Sequence, residues 1–169
     1  MLTECRRITS TFKQEIDLEL SKNHVEIWTD GACKGNPGPG GWGVHFHEFD
    51  YPGLCGGDIM TTNNIQEMLA ALVALQVVER LGCTANIYTD SNLVFKGLGE
   101  WLPGWKATNF KTVKKNRELW QQLIPLYDKL ADKVTIHKVK GHSGNPGNDA
   151  ADALANKGVI ECLTKSKNA

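Results

Sequence analysis

Two short stretches that echo one another decide the fold: Ile27-Trp28-Thr29-Asp30 and Ile87-Tyr88-Thr89-Asp90. Each runs strand-favouring residues into a terminal Thr-Asp, the pattern of a buried strand that ends on an acid. The link between them holds two further strand-like segments and one long helical segment, so the two stretches are expected to lie as parallel neighbours. Paired strands are about 4.8 Å apart. Asp30 and Asp90 would then stand side by side at the carboxyl edge of the sheet, where open α/β sheets gather ligands. Two carboxylates that close repel each other and call for a cation. A ligand set made only of oxygen favours magnesium or manganese over zinc. Read singly, each Asp could instead cap the loop or helix that follows it; the pairing is what argues for a metal.

Working outward, strand character begins at Val25, and the cluster Gly35-Asn36-Pro37-Gly38-Pro39-Gly40-Gly41 predicts a loop. Strands are expected around residues 42–49 and 54–60, joined by a turn at Tyr51-Pro52-Gly53, giving an antiparallel meander. Ile65, Met68, Leu69, Leu72 and Leu75 recur at helical spacing, with Thr62 or Asn63 as cap and Gly82 as stop, which predicts a helix over about 64–81. Further helices are expected after Asp90-Ser91 and near 116–131, with a last strand at 134–139. An alanine-rich helix over about 148–157 would be closed by Gly158. This order implies an α/β fold with one mixed five-stranded sheet: strands 1–3 antiparallel, strands 1, 4 and 5 parallel, and helices on its faces. Glu67 and Asp152 fall within the two alanine-rich helical segments, where small neighbours let an acid approach the sheet edge. Either one alone reads equally as a solvated helix carboxylate.

The chain has 169 residues and zero formal net charge, but the charge is unevenly spread. Residues 96–140 hold ten Lys and Arg against four Asp and Glu, leaving nine against fifteen elsewhere. Such asymmetry suits a protein that grips phosphates in one region and gathers cations in another. Five scattered cysteines without a C-x-x-C pair exclude a disulfide framework or a cysteine zinc site and point to a reducing cytoplasm. The N-terminal segment lacks the apolar run of a signal peptide, and no membrane span is expected. Residues 1–23, with a helical hint at 12–20, read as an extension, residues 24–159 as the catalytic domain, and residues 160–169 as a C-terminal tail.

The run Thr29-Asp30-Gly31-Ala32-Cys33-Lys34-Gly35-Asn36-Pro37-Gly38-Pro39-Gly40-Gly41-Trp42-Gly43 closely resembles the opening motif of type 1 ribonucleases H. Thr61-Thr62-Asn63-Asn64 with Glu67, then Tyr88-Thr89-Asp90-Ser91, resemble the second and third motifs. Val139-Lys140-Gly141-His142-Ser143-Gly144, with Asn148 and Ala151-Asp152, resembles the last. The likeness spans about residues 24–158 in unbroken order. It implies the ribonuclease H-like fold and hydrolysis of the RNA strand of RNA–DNA hybrids by a monomer. By the same resemblance Asp30, Glu67, Asp90 and Asp152 would bind two magnesium ions, with manganese able to substitute, and Asp30 would bridge them. The family pattern sets its fourth acid ten residues after the His, which selects Asp152 over Asp149. Water would be activated at one ion and the departing 3′-oxygen stabilised at the other, leaving 5′-phosphate and 3′-hydroxyl ends. His142, in a Gly-rich loop, would move protons near neutral pH, or else be a surface histidine without a role.

Reading RNA against DNA requires contact with the 2′-hydroxyl. Cys33 and Asn36 beside Asp30, Asn63 and Asn64 beside Glu67, and Asn92 beside Asp90 are the candidates, although loop asparagines often only form turns. For the DNA strand, Trp101, Trp105 and Phe110 alternate with Lys106, Lys111, Lys114 and Lys115, as a surface for stacking and phosphate neutralisation would. One of the two tryptophans could instead pack this segment on the core. The segment resembles the basic protrusion of family members, shortened here. Met60 and Ile65 stand where relatives often carry Arg, with Thr62 and Asn116 left to form a DNA-phosphate pocket, so a weaker grip on the DNA strand is expected. The competing reading is a hybrid-binding module that does not cleave.

Overall fold

The computed structural model describes residues 23–47, 53–111 and 113–168. The helical hint at 12–20 and the first two residues of the expected turn at 51–53 lie outside them. Three strands come first, β1 (His24–Cys33), β2 (Gly38–Phe46) and β3 (Leu54–Thr61), followed by helix α1 (Asn63–Leu81) and β4 (Thr84–Thr89). Next is a bent helical run: α2 (Asn92–Lys96), a wider π-type turn (Gly97–Trp101) and α3 (Leu102–Ala107). Then follow α4 (Arg117–Leu130), β5 (Val134–Lys138) and α5 (Pro146–Lys167). The strands form one sheet in the order β3-β2-β1-β4-β5. β1 pairs antiparallel with β2, and β2 with β3; β4 runs parallel to both β1 and β5. This is the mixed five-stranded sheet expected from the sequence.

α1 is buried almost all round because it lies between the sheet and α4. Its Leu, Val and Ala side chains meet Val25, Ile27, Val44, Phe46 and Ile87 of the sheet and Leu123 and Ile124 of α4. Thr62 caps α1, its side-chain oxygen accepting from the Ile65 amide at 3.3 Å, and Gly82 ends it in the left-handed conformation at φ 63°.

Two expectations are corrected, and both turn on glycine. The loop between β1 and β2 is only residues 34–37, because Gly38–Gly41 belong to β2. Gly158 does not close the last helix: α5 runs on to Lys167, and the segment read as a tail is helical through that residue. In both places the missing side chain serves close packing. A Cβ on Gly41 would lie 2.2 Å from the Ala155 carbonyl oxygen, and one on Gly158 would lie 2.1 Å from that of Gly56. α5 therefore rests directly on the backbones of β2 and β3. Among the described residues, no helix is long and apolar enough to cross a membrane.

Candidate active site

The parallel register aligns Ile27 with Ile87, Trp28 with Tyr88 and Thr29 with Thr89. The next residues, Asp30 and Asp90, are brought together at the carboxyl edge. Glu67 joins them from the first turns of α1. Ligand oxygens of Asp30, Glu67 and Asp90 all lie within 4.8 Å of one another. Gly31 makes that approach possible, since a Cβ there would fall 2.5 Å from the Glu67 amide nitrogen. Asp152 of α5 approaches the Asp30 carboxyl closely enough to raise its affinity for a proton. Asp149, less than a turn earlier, is exposed.

The electrostatics follow from this crowding. Asp30 and Glu67 are 4% and 5% exposed. Burial, then the charge of Asp90 and the close approach of Asp152, pushes the Asp30 carboxyl up to about 8. Burial, then the charges of Asp30 and Asp90, raises Glu67 well above the usual carboxylate range. One Glu67 oxygen, Oε2, is buried with no hydrogen-bond partner among the described residues. Buried acids held neutral, with an orphaned oxygen among them, are what an oxygen-liganded divalent cation would compensate, and the donor set fits magnesium or manganese.

His142 lies in the turn between β5 and α5. It is exposed, with φ 54°, and the Ser143 hydroxyl donates to the Lys140 carbonyl at 2.7 Å. The turn abuts the acids, because a Cβ on Gly141 would sit 2.6 Å from Asp90 Oδ2. Gly31 and Gly141 were not singled out from sequence as positioning residues. The signal available was a glycine next to a candidate acid or base, but only the tertiary contact gives it meaning.

Asn36, Thr62, Asn64, Lys115 and Asn116 line one pocket of about 420 Å³, so the structure gathers five of the expected nucleic-acid contacts. Asn36 Oδ1 also accepts from the Asn63 amide at 2.8 Å, tying the β1–β2 loop to the start of α1. Met60, 67% exposed, and Ile65 line an adjoining, more apolar pocket of about 360 Å³ that shares Asn116. Cys33 is half-buried, its thiol directed at the carbonyls of Gly38 and Thr61. Asn92 is the exposed first residue of α2.

The aromatic–basic segment divides. Trp105 packs inward, 4.8 Å from the buried Trp120 ring, whereas Trp101 is 38% exposed and lies 5.7 Å from Trp105. Lys106 pairs with Asp128 of α4. Lys111, Lys114 and Lys115 are exposed.

A family model for RNase H matches residues 22–160. The chain belongs to the ribonuclease H family. Ribonuclease H of Cupriavidus pinatubonensis (strain JMP 134 / LMG 1197) is 52% identical over 140 residues, covering 80% of this chain and 94% of that relative. Ribonuclease H of Verminephrobacter eiseniae (strain EF01-2) is 49% identical over 146 residues, covering 83% and 94%. Such likeness over most of both chains marks a ribonuclease H enzyme of the bacterial type. Among solved structures, LC9-RNase H1, a type 1 RNase H with the type 2 active-site motif, superimposes with a TM-score of 0.71 at 25% identity. It covers 83% of this chain and 74% of that one. LC11-RNase H1, solved in complex with an RNA/DNA hybrid, gives 0.62 at 21% identity over 82% of this chain and 99% of that one, a likeness of fold.

Proposed function

We propose that this ribonuclease H cuts the RNA strand of RNA–DNA hybrids internally, leaving 5′-phosphate and 3′-hydroxyl ends, and that Asp30, Glu67, Asp90 and Asp152 are its metal-binding acids. The observation that carries this reading is the carboxylate trio within 4.8 Å at the sheet edge, with Asp152 of α5 close enough to act on Asp30. Two magnesium ions held there, or manganese in their place, would supply the charge that activates the attacking water and stabilises the departing 3′-oxygen.

The chain's own residues do the rest. Asp30 sits at the centre of the cluster, next to Asp90 on the neighbouring strand and within reach of acids from α1 and α5, the place from which one carboxylate can serve two cations. Gly31 and Gly141 hold α1 and the His142 turn close enough for the acids to act together. His142, exposed beside Asp90, takes or gives a proton as water attacks or product leaves. The pocket of Asn36, Thr62, Asn64, Lys115 and Asn116 suits a backbone phosphate, its polar donors and one cation converging on a single hollow. Cys33, Asn63 and Asn92 flank the acids where 2′-hydroxyls and base edges would pass. Trp101, Lys111 and Lys114 offer an exposed platform for the DNA strand, with Trp105 and Lys106 bracing it from α3. The hybrid as substrate is also supported by the RNA/DNA hybrid found in the complex of LC11-RNase H1.

We assign catalysis to residues 24–159, in keeping with the family match over 22–160, and place the enzyme in the cytoplasm as a monomer. A module that only binds hybrids has no use for buried acids facing phosphates. The test is one labelled RNA strand presented alone, paired with RNA and paired with DNA, with magnesium or with chelator. The reading requires magnesium-dependent internal cuts in the DNA-paired strand alone, with fragments that a polymerase can extend from a 3′-hydroxyl. Tight hybrid binding without cuts would overturn it.

A further inference from the structure

Trp28 precedes Asp30 by two positions on β1, so strand alternation turns both side chains to the face of the sheet that α5 covers. The first turn of α5 lies on the indole: a Cβ on Gly147 would come within 2.3 Å of the Trp28 ring. The ring is fixed from other sides as well. It stacks on Tyr88 with centroids 4.5 Å apart and planes 16° off parallel, and His47 and His45 lie 5.5 Å and 6.2 Å away. Its Nε1 is buried without a hydrogen-bond partner among the described residues, so the indole contributes bulk and shape rather than a polar contact. Asn145, which caps α5 by accepting from the Asn148 amide at 3.1 Å, lies two residues before Gly147, and the His142 turn leads directly into it.

We propose that Trp28 is a positioning residue for the hydrolytic site: the large ring and the missing side chain of Gly147 form a matched pair that sets the height of the α5 N-terminus above the sheet. That height fixes how far Asp152 reaches toward Asp30 and where the His142 turn lies against Asp90. The inference rests on the reading of Asp152 as a metal-binding acid. It goes beyond that reading in making the reach of Asp152 depend on a residue that touches neither substrate nor metal. Phe in place of Trp28 leaves α5 a gap to sink into, whereas Ala in place of Gly147 lifts it. The two changes displace Asp152 in opposite senses, so Trp28→Phe combined with Gly147→Ala restores the spacing.

The experiment compares wild type, Trp28→Phe, Gly147→Ala, the double variant and Asp152→Asn. Thermal unfolding, calorimetric titration with magnesium or manganese, and kcat and KM on a hybrid are measured for each. The expected result is a several-fold weaker metal titration and a several-fold lower kcat for each single variant, with hybrid KM unchanged and the double variant moving back toward wild type. If the single variants only lower Tm, leaving metal titration and kcat as in wild type, Trp28 is a structural residue and the proposal fails. If Asp152→Asn itself titrates and turns over like wild type, the reading of Asp152 fails, and the positioning role falls with it.

Discussion

Asp30 and Asp90 extend two residues, Thr29 and Thr89, that are paired in register on adjacent parallel strands, and their carboxylate oxygens come within 4.8 Å of each other and of Glu67. Nothing positive among these side chains offsets that concentration of acid, and the cost appears as a raised affinity for protons at Asp30 and Glu67. The cluster is thus a place where the fold gives up stability.

The cost can be measured without metal. Asp30 holds its proton up to about 8 in the folded protein against 3.8 for a free side chain. Between those values the native state is protonated at this group and the unfolded chain is not. The group's contribution to stability is therefore complete below about pH 4 and drains away as pH rises through 8. Metal-free Asp30→Asn should lose this dependence and melt above wild type at pH 8, by roughly 2–4 °C for each kcal/mol recovered. Calorimetry in chelator at pH 5 and pH 8 checks it; a variant less stable than wild type at pH 8 would contradict it. Glu67, raised in the same direction, should behave alike.

The α5 packing gives a prediction with an unusual sign. Gly158 lies within a helix, where Ala is better by about 1 kcal/mol on propensity alone. Its Cβ position lies 2.1 Å from the Gly56 carbonyl oxygen, so Gly158→Ala should destabilise, by about 1–3 kcal/mol net. Urea titration reads the difference directly.

Met60 lines the pocket that adjoins the hollow proposed for a backbone phosphate, and it brings no charge there. Met60→Arg should lower hybrid KM and steepen its salt dependence by about one unit of log–log slope, leaving kcat alone. Asn116 adopts φ 55°, so Asn116→Gly removes the amide without straining the backbone and should raise KM about 5–30-fold. Steady-state kinetics across a salt series test both; a KM for Met60→Arg unchanged at every salt concentration would rule out the phosphate role.

His142 stands on a turn rather than in the core, so removing it tests chemistry more than folding. His142→Ala should retain Tm and hybrid KM while kcat falls on the order of 10²-fold. An equal kcat would leave it a surface histidine.

The parts legible in the sequence were those written in local periodicity. The two Thr-Asp endings announced a parallel pair because strand register preserves position, and the pair Thr62-Asn63 announced the start of α1 because capping is a local bond, made by Thr62. Less legible were residues whose meaning depends on what arrives from elsewhere. Gly158 and the Gly38–Gly41 run read as stop and loop, since glycine also marks those, and only the approach of α5 makes them sites of close packing. Trp105 sits among lysines in sequence, yet it turns inward because Trp120, on another helix, supplies a buried ring to meet it.

Single-turnover cleavage of an RNA–DNA hybrid by wild type and Asp30→Asn, at equal folded concentration across a magnesium series, tests the central claim most directly. The account predicts magnesium-dependent cutting of the RNA strand by wild type and a loss of at least about 10³-fold in the variant at every magnesium concentration. Cutting by Asp30→Asn at the wild-type rate would contradict it, and would remove the carboxylate cluster from the chemistry.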